Sequence, residues 1–300
     1  MFDVPILLVL YNKVEDTHNL FQIIKNVKPT KLYVAADGAR HGDRIDYVTC
    51  IRSRAVIMPE WPCETHFLFK EEHLGKAEMI TQGINWFFKN ESEGIILFED
   101  TMPNRDFFEY SKELLEKYRN DKRIVHINGS NLHRKNAKNE ASYYFSAYPL
   151  SWGFATWADR WKGFDLKMTL LDGENFNKMV SPYTNSGKEK LYWLRRYNIL
   201  RKHKLDIWEY QYIYYKWYQK GLSITPSYNL VTNIGLKNKK RKIRKLMRET
   251  KNILPLVHPK EVVQSKEADR YAFKRIFNKA FIRMFSDWFN EYLLGKEKKL

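Results

Sequence analysis

The chain has 300 residues, of which 44% are hydrophobic and 15% aromatic, and it carries a formal net charge of +17. That apolar content supplies a core for one large or two small domains and excludes a disordered chain, while no apolar run approaches the roughly 20 residues that span a bilayer. Two cysteines, Cys50 and Cys63, exclude a disulfide framework and form no metal-type CxxC pair, so both are expected to be reduced thiols.

The chain enters an apolar run at once, "VPILLVLYN", with no basic n-region, long h-region or cleavage-like site before it, and a cytoplasmic protein is expected. The first 130 residues alternate short apolar runs with helical patterns, the signature of a doubly wound α/β unit. Strands are expected at 5–12, 31–38, 65–72, 94–100 and 123–129, and helices at 16–27, 76–90 and 105–121. Ligands bind such sheets beyond the carboxyl ends of the strands. Those ends are Tyr11-Asn12, Ala36-Asp37-Gly38, Lys70-Glu71, Glu99-Asp100 and Asn128-Gly129.

After Ser130 the alternation gives way to an aromatic-rich stretch, 143–161, and a helical one, 205–221. Charge is uneven along the chain: from Leu236 onward there are 19 Lys or Arg against 7 Asp or Glu, with a dense basic run at 236–248. Beyond it, Phe273, Phe277, Phe281, Phe285 and Phe289 recur four apart, as in an amphipathic helix with basic flanks. That helix either packs on its own domain or lies on an anionic membrane surface.

The tip of "GIILFEDTMP" (94–103) poses the central question. Ile95 to Phe98 leave no polar face, so the strand reads as central and covered on both sides. Two carboxylates at its end, Glu99 and Asp100, must be solvated, paired or metal-bound. They suit Mg²⁺ or Mn²⁺ carrying a diphosphate, or equally a turn that starts the next helix with Asp100 or Thr101 near its N-cap.

The ordered set "LVLYNK", "YVAADGAR", "HLGKAEMITQGINWFF", "GIILFEDTMP", "SWGFATW", "WEYQY" and "YNLVTNIG" resembles the nucleotide-diphospho-sugar glycosyltransferases of the GT-A fold. It is most similar to a bacterial branch with AADG, EDD, WGWATW, WDYQW and NLVxNIG motifs. The resemblance covers most of residues 4 to 263, continuing into "PLVHPKEVV", where His258 matches a family feature or is structural. It implies a mixed α/β GT-A domain over 1–235, with a nucleotide-binding half to about 130 and an acceptor half beyond. Residues 236–300 would add a basic loop and a helical, aromatic-rich extension.

The resemblance also implies roles. Tyr11 and Asn12 would border the nucleotide base, and Asp37, before Gly38, would accept hydrogen bonds from base or ribose. Gly75 would let backbone approach the donor, such as a UDP-sugar, and Lys76 would reach its diphosphate. Glu99 and Asp100 would hold the divalent cation. Glu209, in an aromatic setting expected to raise its pKa, would be the general base of an inverting transfer to a glycan or lipid-linked glycan at the inner face of the membrane. Trp152 and Trp157, with Gly153 between them, would stack on sugar rings or belong to the core.

Two departures weaken the implied metal site: Phe98 stands where the branch has its first acid, and no histidine follows "NIG" closely. Lys and Arg within 237–248 would compensate by neutralising the diphosphate directly, or form a solvated loop. Two other function classes remain: a catalytically silent GT-A-like scaffold, and a nucleic-acid binder, to which the basic, aromatic composition points but no motif does.

Overall fold

A computed structural model describes residues 1–131, 141–203, 207–236 and 253–277. Its first half follows the expected alternation: β1 (Ile6–Leu10), α1 (Val14–Val27), β2 (Lys31–Ala36), α2 (Arg44–Ala55), β3 (Glu64–Phe69), α3 (Lys76–Asn90), β4 (Glu93–Phe98), β5 (Thr101–Pro103), α4 (Arg105–Tyr118) and β6 (Ile124–Asn128). The helix α2 is not legible in the sequence. It buries Asp46, Cys50 and Ser53 and exposes Ile45, Tyr47, Val48 and Ile51, so its apolar residues mark the solvent side rather than the core.

The aromatic stretch adds β7 (Tyr143–Ser146), β8 (Phe154–Trp157) and the short α5 (Ala158–Trp161). Continuous apolar sequence does not distinguish a buried strand from a buried helix, which is why these strands have no clear signature. Then come α6 (Phe176–Val180), α7 (Gly187–His203), α8 (Trp208–Tyr218), β9 (Leu222–Pro226), β10 (Val231–Asn233) and α9 (Lys266–Ala272).

Eight strands form one mixed sheet in the order β3-β2-β1-β4-β8-β6-β9-β7, with β8 and β7 antiparallel to their neighbours. The mixed α/β class that the GT-A resemblance implies is thus present. Two parallel strands lead away from β1 on one side, and the chain then returns to place β4 on its other side. The crevice between β1 and β4 is therefore the topological switch point, where such sheets receive ligands.

Strand periodicity divides the core into two faces. Ile6, Leu8, Leu10, Ile95, Leu97, Ala155 and Trp157 pack toward α1 and α4. Leu7, Val9, Ile96 and Phe154 pack toward α3 and toward Trp208 and Tyr212 of α8. A third cluster joins α6, α7 and α8 with Tyr148 and with Phe273 and Phe277. α8 is buried nearly all round although it carries Glu209, Gln211 and Lys216; the buried Gln211 and Lys216 donate to the Leu166 and Ala147 carbonyls.

The described residues after 252 are part of the same body. Asp269 is wholly buried and accepts from Ser146 Oγ (2.6 Å), the Ala147 N–H (2.9 Å) and Gln264 Nε2 (2.6 Å). Beside it Lys216 donates to the Ala147, Gly221 and Ser146 carbonyls at 2.9, 3.0 and 3.3 Å. Phe273 and Phe277 turn inward, so the start of the expected amphipathic helix faces the core. Its continuation through Phe281, Phe285 and Phe289, and the basic run at 237–248, lie outside the described residues. His258 lies 3.1 Å from Glu113 of α4 through Nε2 and shares a hydrogen bond through Nδ1 with the Tyr143 hydroxyl (2.8 Å) of β7.

His126 on β6 is fully enclosed, with Nε2 3.2 Å from the Leu150 carbonyl and Nδ1 3.4 Å from the Tyr212 hydroxyl. Burial lowers its pKa from 6.5 to about 3. The unfolded chain therefore binds a proton that the folded chain refuses, and stability falls as pH drops from 6.5 toward 3, by up to about 1.4 kcal/mol per pH unit from this group. His126→Gln, which keeps a donor for Leu150, is expected to flatten the pH dependence of the urea midpoint between pH 6.5 and 4. An unchanged slope would place the acid sensitivity elsewhere.

Candidate active site

A cleft of about 320 Å³ opens at the switch point. Leu10, Tyr11 and Lys13 reach it from the end of β1, Asp37 and Arg40 from the end of β2, and Phe98, Glu99 and Asp100 from the end of β4. His73 and Lys76 enter from the start of α3, Ser151 and Trp152 from the loop before β8, Trp208 and Glu209 from α8, and Asn233 from β10. Seven of the residues singled out in the sequence thus meet in one cavity: Tyr11, Asp37, Lys76, Glu99, Asp100, Trp152 and Glu209.

The acidic tip is a turn between two strands. Thr101 is fully buried, and its hydroxyl donates to the Phe98 carbonyl (2.7 Å) and accepts from the Phe98 N–H (3.1 Å), which fixes the reversal. β5 then pairs antiparallel with β10. The N-cap of α4 is Asn104, whose side chain accepts from the Phe107 N–H at 3.0 Å, so neither Asp100 nor Thr101 starts that helix.

The two carboxylates differ. Glu99 is 7% exposed, and one of its oxygens accepts from the backbone N–H groups of Tyr11 (2.8 Å) and Lys13 (3.2 Å). Desolvation raises its pKa above the ordinary value, against the lowering effect of those donors. Asp100 is more open, pairs with Lys13 Nζ at 2.8 Å and receives Asn233 Nδ2 at 3.4 Å. A Cβ on Gly235 would lie 2.5 Å from Asp100 Oδ2, so the glycine of "NIG" lets β10's exit pass beside this carboxylate.

Asp37 is nearly inaccessible. One oxygen accepts from the Gly38 (2.9 Å) and Leu74 (2.8 Å) N–H groups, the other from the Gly75 N–H (3.0 Å), with His73 Nδ1 at 2.9 Å. Both oxygens are engaged by backbone N–H groups of the chain itself. The carboxylate fastens the end of β2 to the turn that begins α3. Gly75 takes φ +86 there, and Gly38 permits approach to Glu72, whose backbone a Cβ would meet at 2.4 Å. Neither glycine lines the cleft; both shape its wall.

Asp46 of the unforeseen α2 organises the opposite rim. It accepts from the Tyr11 hydroxyl, Asn12 Nδ2 (2.5 Å) and the Arg40 N–H (2.8 Å). Burial pushes its carboxyl up, but these donors and the Arg40 charge outweigh burial and hold it below the usual range. Asn12 is thereby turned toward α2 rather than into the cleft. His73 lies 5.0 Å from the Tyr11 ring and the Arg40 guanidinium 5.6 Å from it.

On the far wall Glu209 pairs with Lys76 Nζ at 2.7 Å. Its aromatic neighbours in sequence do not enclose it: successive helix residues point about 100° apart, and Trp208 turns inward while Glu209 stays 30% exposed at its side chain. Trp152 faces the cleft. Trp157 does not: it is 2% exposed, donates to the Leu115 carbonyl (3.3 Å) and carries Arg160 over its ring (4.5 Å), on the opposite face of the sheet. Gly153, at φ +72, packs against Leu97 and Val231 beneath the loop and lets Trp152 and Phe154 diverge.

Lys13, Arg40, His73, Ser151, Trp208 and Asn233 were not singled out in the sequence. All six stand inside the motifs "LVLYNK", "AADGAR", "HLGK", "SWGFATW", "WEYQY" and "NLVTNIG", and a count of cations beside each strand end would have found Lys13 and Arg40. Among the described residues no cluster of three or more His, Cys, Asp or Glu is arranged to hold a metal ion.

No family model and no curated protein matches the chain. Among solved structures it is similar to the mannosyltransferase PcManGT from Pyrobaculum calidifontis in complex with GDP-Man and Mn²⁺, at 12% identity. The match covers 72% of this chain and 70% of that one with a TM-score of 0.39, a similarity too distant to carry an argument about the site.

Proposed function

We propose that the chain is a glycosyltransferase that moves a sugar from a nucleotide-diphospho-sugar to an acceptor hydroxyl with inversion. The observation that carries this reading is the composition of the switch-point cleft. It combines a flat aromatic rim (Tyr11, with Arg40 and His73), a floor bearing cations (Lys13, Lys76) and an acceptor wall bearing one carboxylate (Glu209) and one accessible tryptophan (Trp152). The nucleoside sits over β1 and β2, where Tyr11 offers a ring face. The diphosphate lies over Lys13 and Lys76, and the sugar points toward Glu209.

In the transfer, Glu209 takes the proton of the acceptor hydroxyl as that oxygen bonds to the anomeric carbon. The bond from that carbon to the diphosphate oxygen breaks, and the leaving oxygen keeps its electron pair, stabilised by the two ammonium groups. Lys76 serves both ends of this step. In the unliganded cleft it neutralises Glu209, and an entering diphosphate competes for the same ammonium.

The acceptor is proposed to be a glycan or lipid-linked glycan at the inner face of the membrane. Among the described residues no helix is long and apolar enough to cross a membrane. Approach to a membrane-bound acceptor rests on the basic run and the segment after Phe277. The aromatics that would suit nucleic-acid stacking go largely to the cores: Trp157, Trp161, Trp193, Trp208 and Trp217 are all buried.

A thermal-shift screen with UDP-, GDP-, dTDP- and CMP-sugars is expected to raise the melting temperature for one nucleotide class. No shift with any donor would count against the reading. Glu209→Gln should retain that shift and lose transfer by roughly 10²–10⁴-fold, the usual contribution of a positioned base; retained turnover would assign the base elsewhere. Trp152→Ala should raise the acceptor KM with little change in donor binding, whereas Trp157→Phe, a core change, should lower stability and leave both KM values near wild type.

A further inference from the structure

We propose that Lys13 is the resident cation of the cleft, holding the acidic tip and the donor's diphosphate together in place of a divalent metal ion. The inference rests on the nucleotide-sugar reading above and specifies how that site handles phosphate charge.

A diphosphate placed beside Glu99 and Asp100 meets two like charges, so something positive must stand between them. A divalent ion would require several oxygens at short, regular distances, most of them with free lone pairs. The tip does not supply them. Glu99 Oε2 already accepts two backbone N–H groups, and Glu99 Oε1 lies 3.8 Å from Lys13 Nζ. Asp100 Oδ2 is bonded to the same ammonium at 2.8 Å, and Asp100 Oδ1 receives Asn233 at 3.4 Å. The third position, which an acid could have filled, is Phe98, whose ring packs on Phe154 (6.3 Å) and Trp208 (6.0 Å). An ion between the carboxylates would have to expel Lys13.

Lys13 is not readily expelled. Its own N–H is bonded to Glu99, so the backbone that carries the ammonium is fastened to the carboxylate it serves. The side chain is 42% exposed and lines the cleft. An ammonium has three donors, and Asp100 takes one at hydrogen-bond distance. Two N–H groups remain on an ammonium that lines the cavity, and phosphate oxygens entering there can accept them. The geometry therefore gives one point charge bridging carboxylate and phosphate, the arrangement for which lysine is suited.

The test is calorimetric titration of the full chain with UDP and GDP, in EDTA and in Mn²⁺, for wild type, Lys13→Met and Lys13→Arg. Expected are binding of one diphosphate by wild type in EDTA and a loss of roughly tenfold or more in K13M, the effect of removing a charged hydrogen bond. K13R, which keeps the charge, should retain most of the affinity. If K13M melts well below wild type, Lys13→Gln replaces it as a polar variant of similar length. Wild-type binding that requires Mn²⁺ would overturn the proposal while leaving the nucleotide site standing, as would K13M affinity equal to wild type in EDTA. No binding of either diphosphate under any condition, together with no shift in the donor screen, would remove the nucleotide reading itself and this inference with it.

Discussion

The site depends on one buried carboxylate. Glu99 closes β4, and its oxygen takes the N–H groups of Tyr11 and Lys13 from the loop that closes β1. A charge held so far from water is tolerable only because those donors meet it. In return it draws together the two strand ends that flank the switch point. Tyr11 and Lys13, which both line the cleft, are carried by the same two peptide groups. The spacing of these two residues along the cleft is thus tied to backbone groups.

A second carboxylate repeats the device on the neighbouring strand. Asp37 closes β2 and collects the N–H groups of Gly38, Leu74 and Gly75, so the start of α3 and with it Lys76 are placed by the same kind of bond. Asp46 does the corresponding work for Tyr11, Asn12 and Arg40. Three acids thus position the wall, while Asp100 and Glu209 are the more exposed of the described carboxylates that line the cleft. The acids around the cleft thus differ in how far backbone donors engage them: Asp37 and Glu99 accept backbone N–H groups, whereas Asp100 and Glu209 are met by lysine side chains.

The walls also explain why the sheet tolerates so many aromatics. Phe154 and Trp157 are three residues apart on one strand and face opposite layers, one toward α8 and the cleft, the other toward α4. α8 is enclosed on nearly every side and leaves Glu209 near its first turn as a polar outlet. The segment at 253–277 is locked to the sheet by buried Asp269, so the described part of the C-terminal region belongs to the fold that carries the site.

Much of this was legible in the chain. Runs such as "ILLVL" and "GIILF" determine central strands because neither has a polar face, and α3 and α4 follow from apolar residues at helical spacing. Polar residues just after each strand gather on one edge of the sheet, which is why Tyr11, Asp37, Glu99 and Asp100 line one cleft. Only the tertiary structure decided their state. Whether a carboxylate is spent on backbone donors, as Asp37 is, or paired with a lysine, as Asp100 is, depends on loops 30 to 90 residues away. α2 and Asp46 were invisible because their pattern points apolar side chains at solvent, and the side of the sheet taken by Trp157 depends on strand register. Local sequence carries periodicity and charge; which donors reach which acceptor is a property of the folded chain.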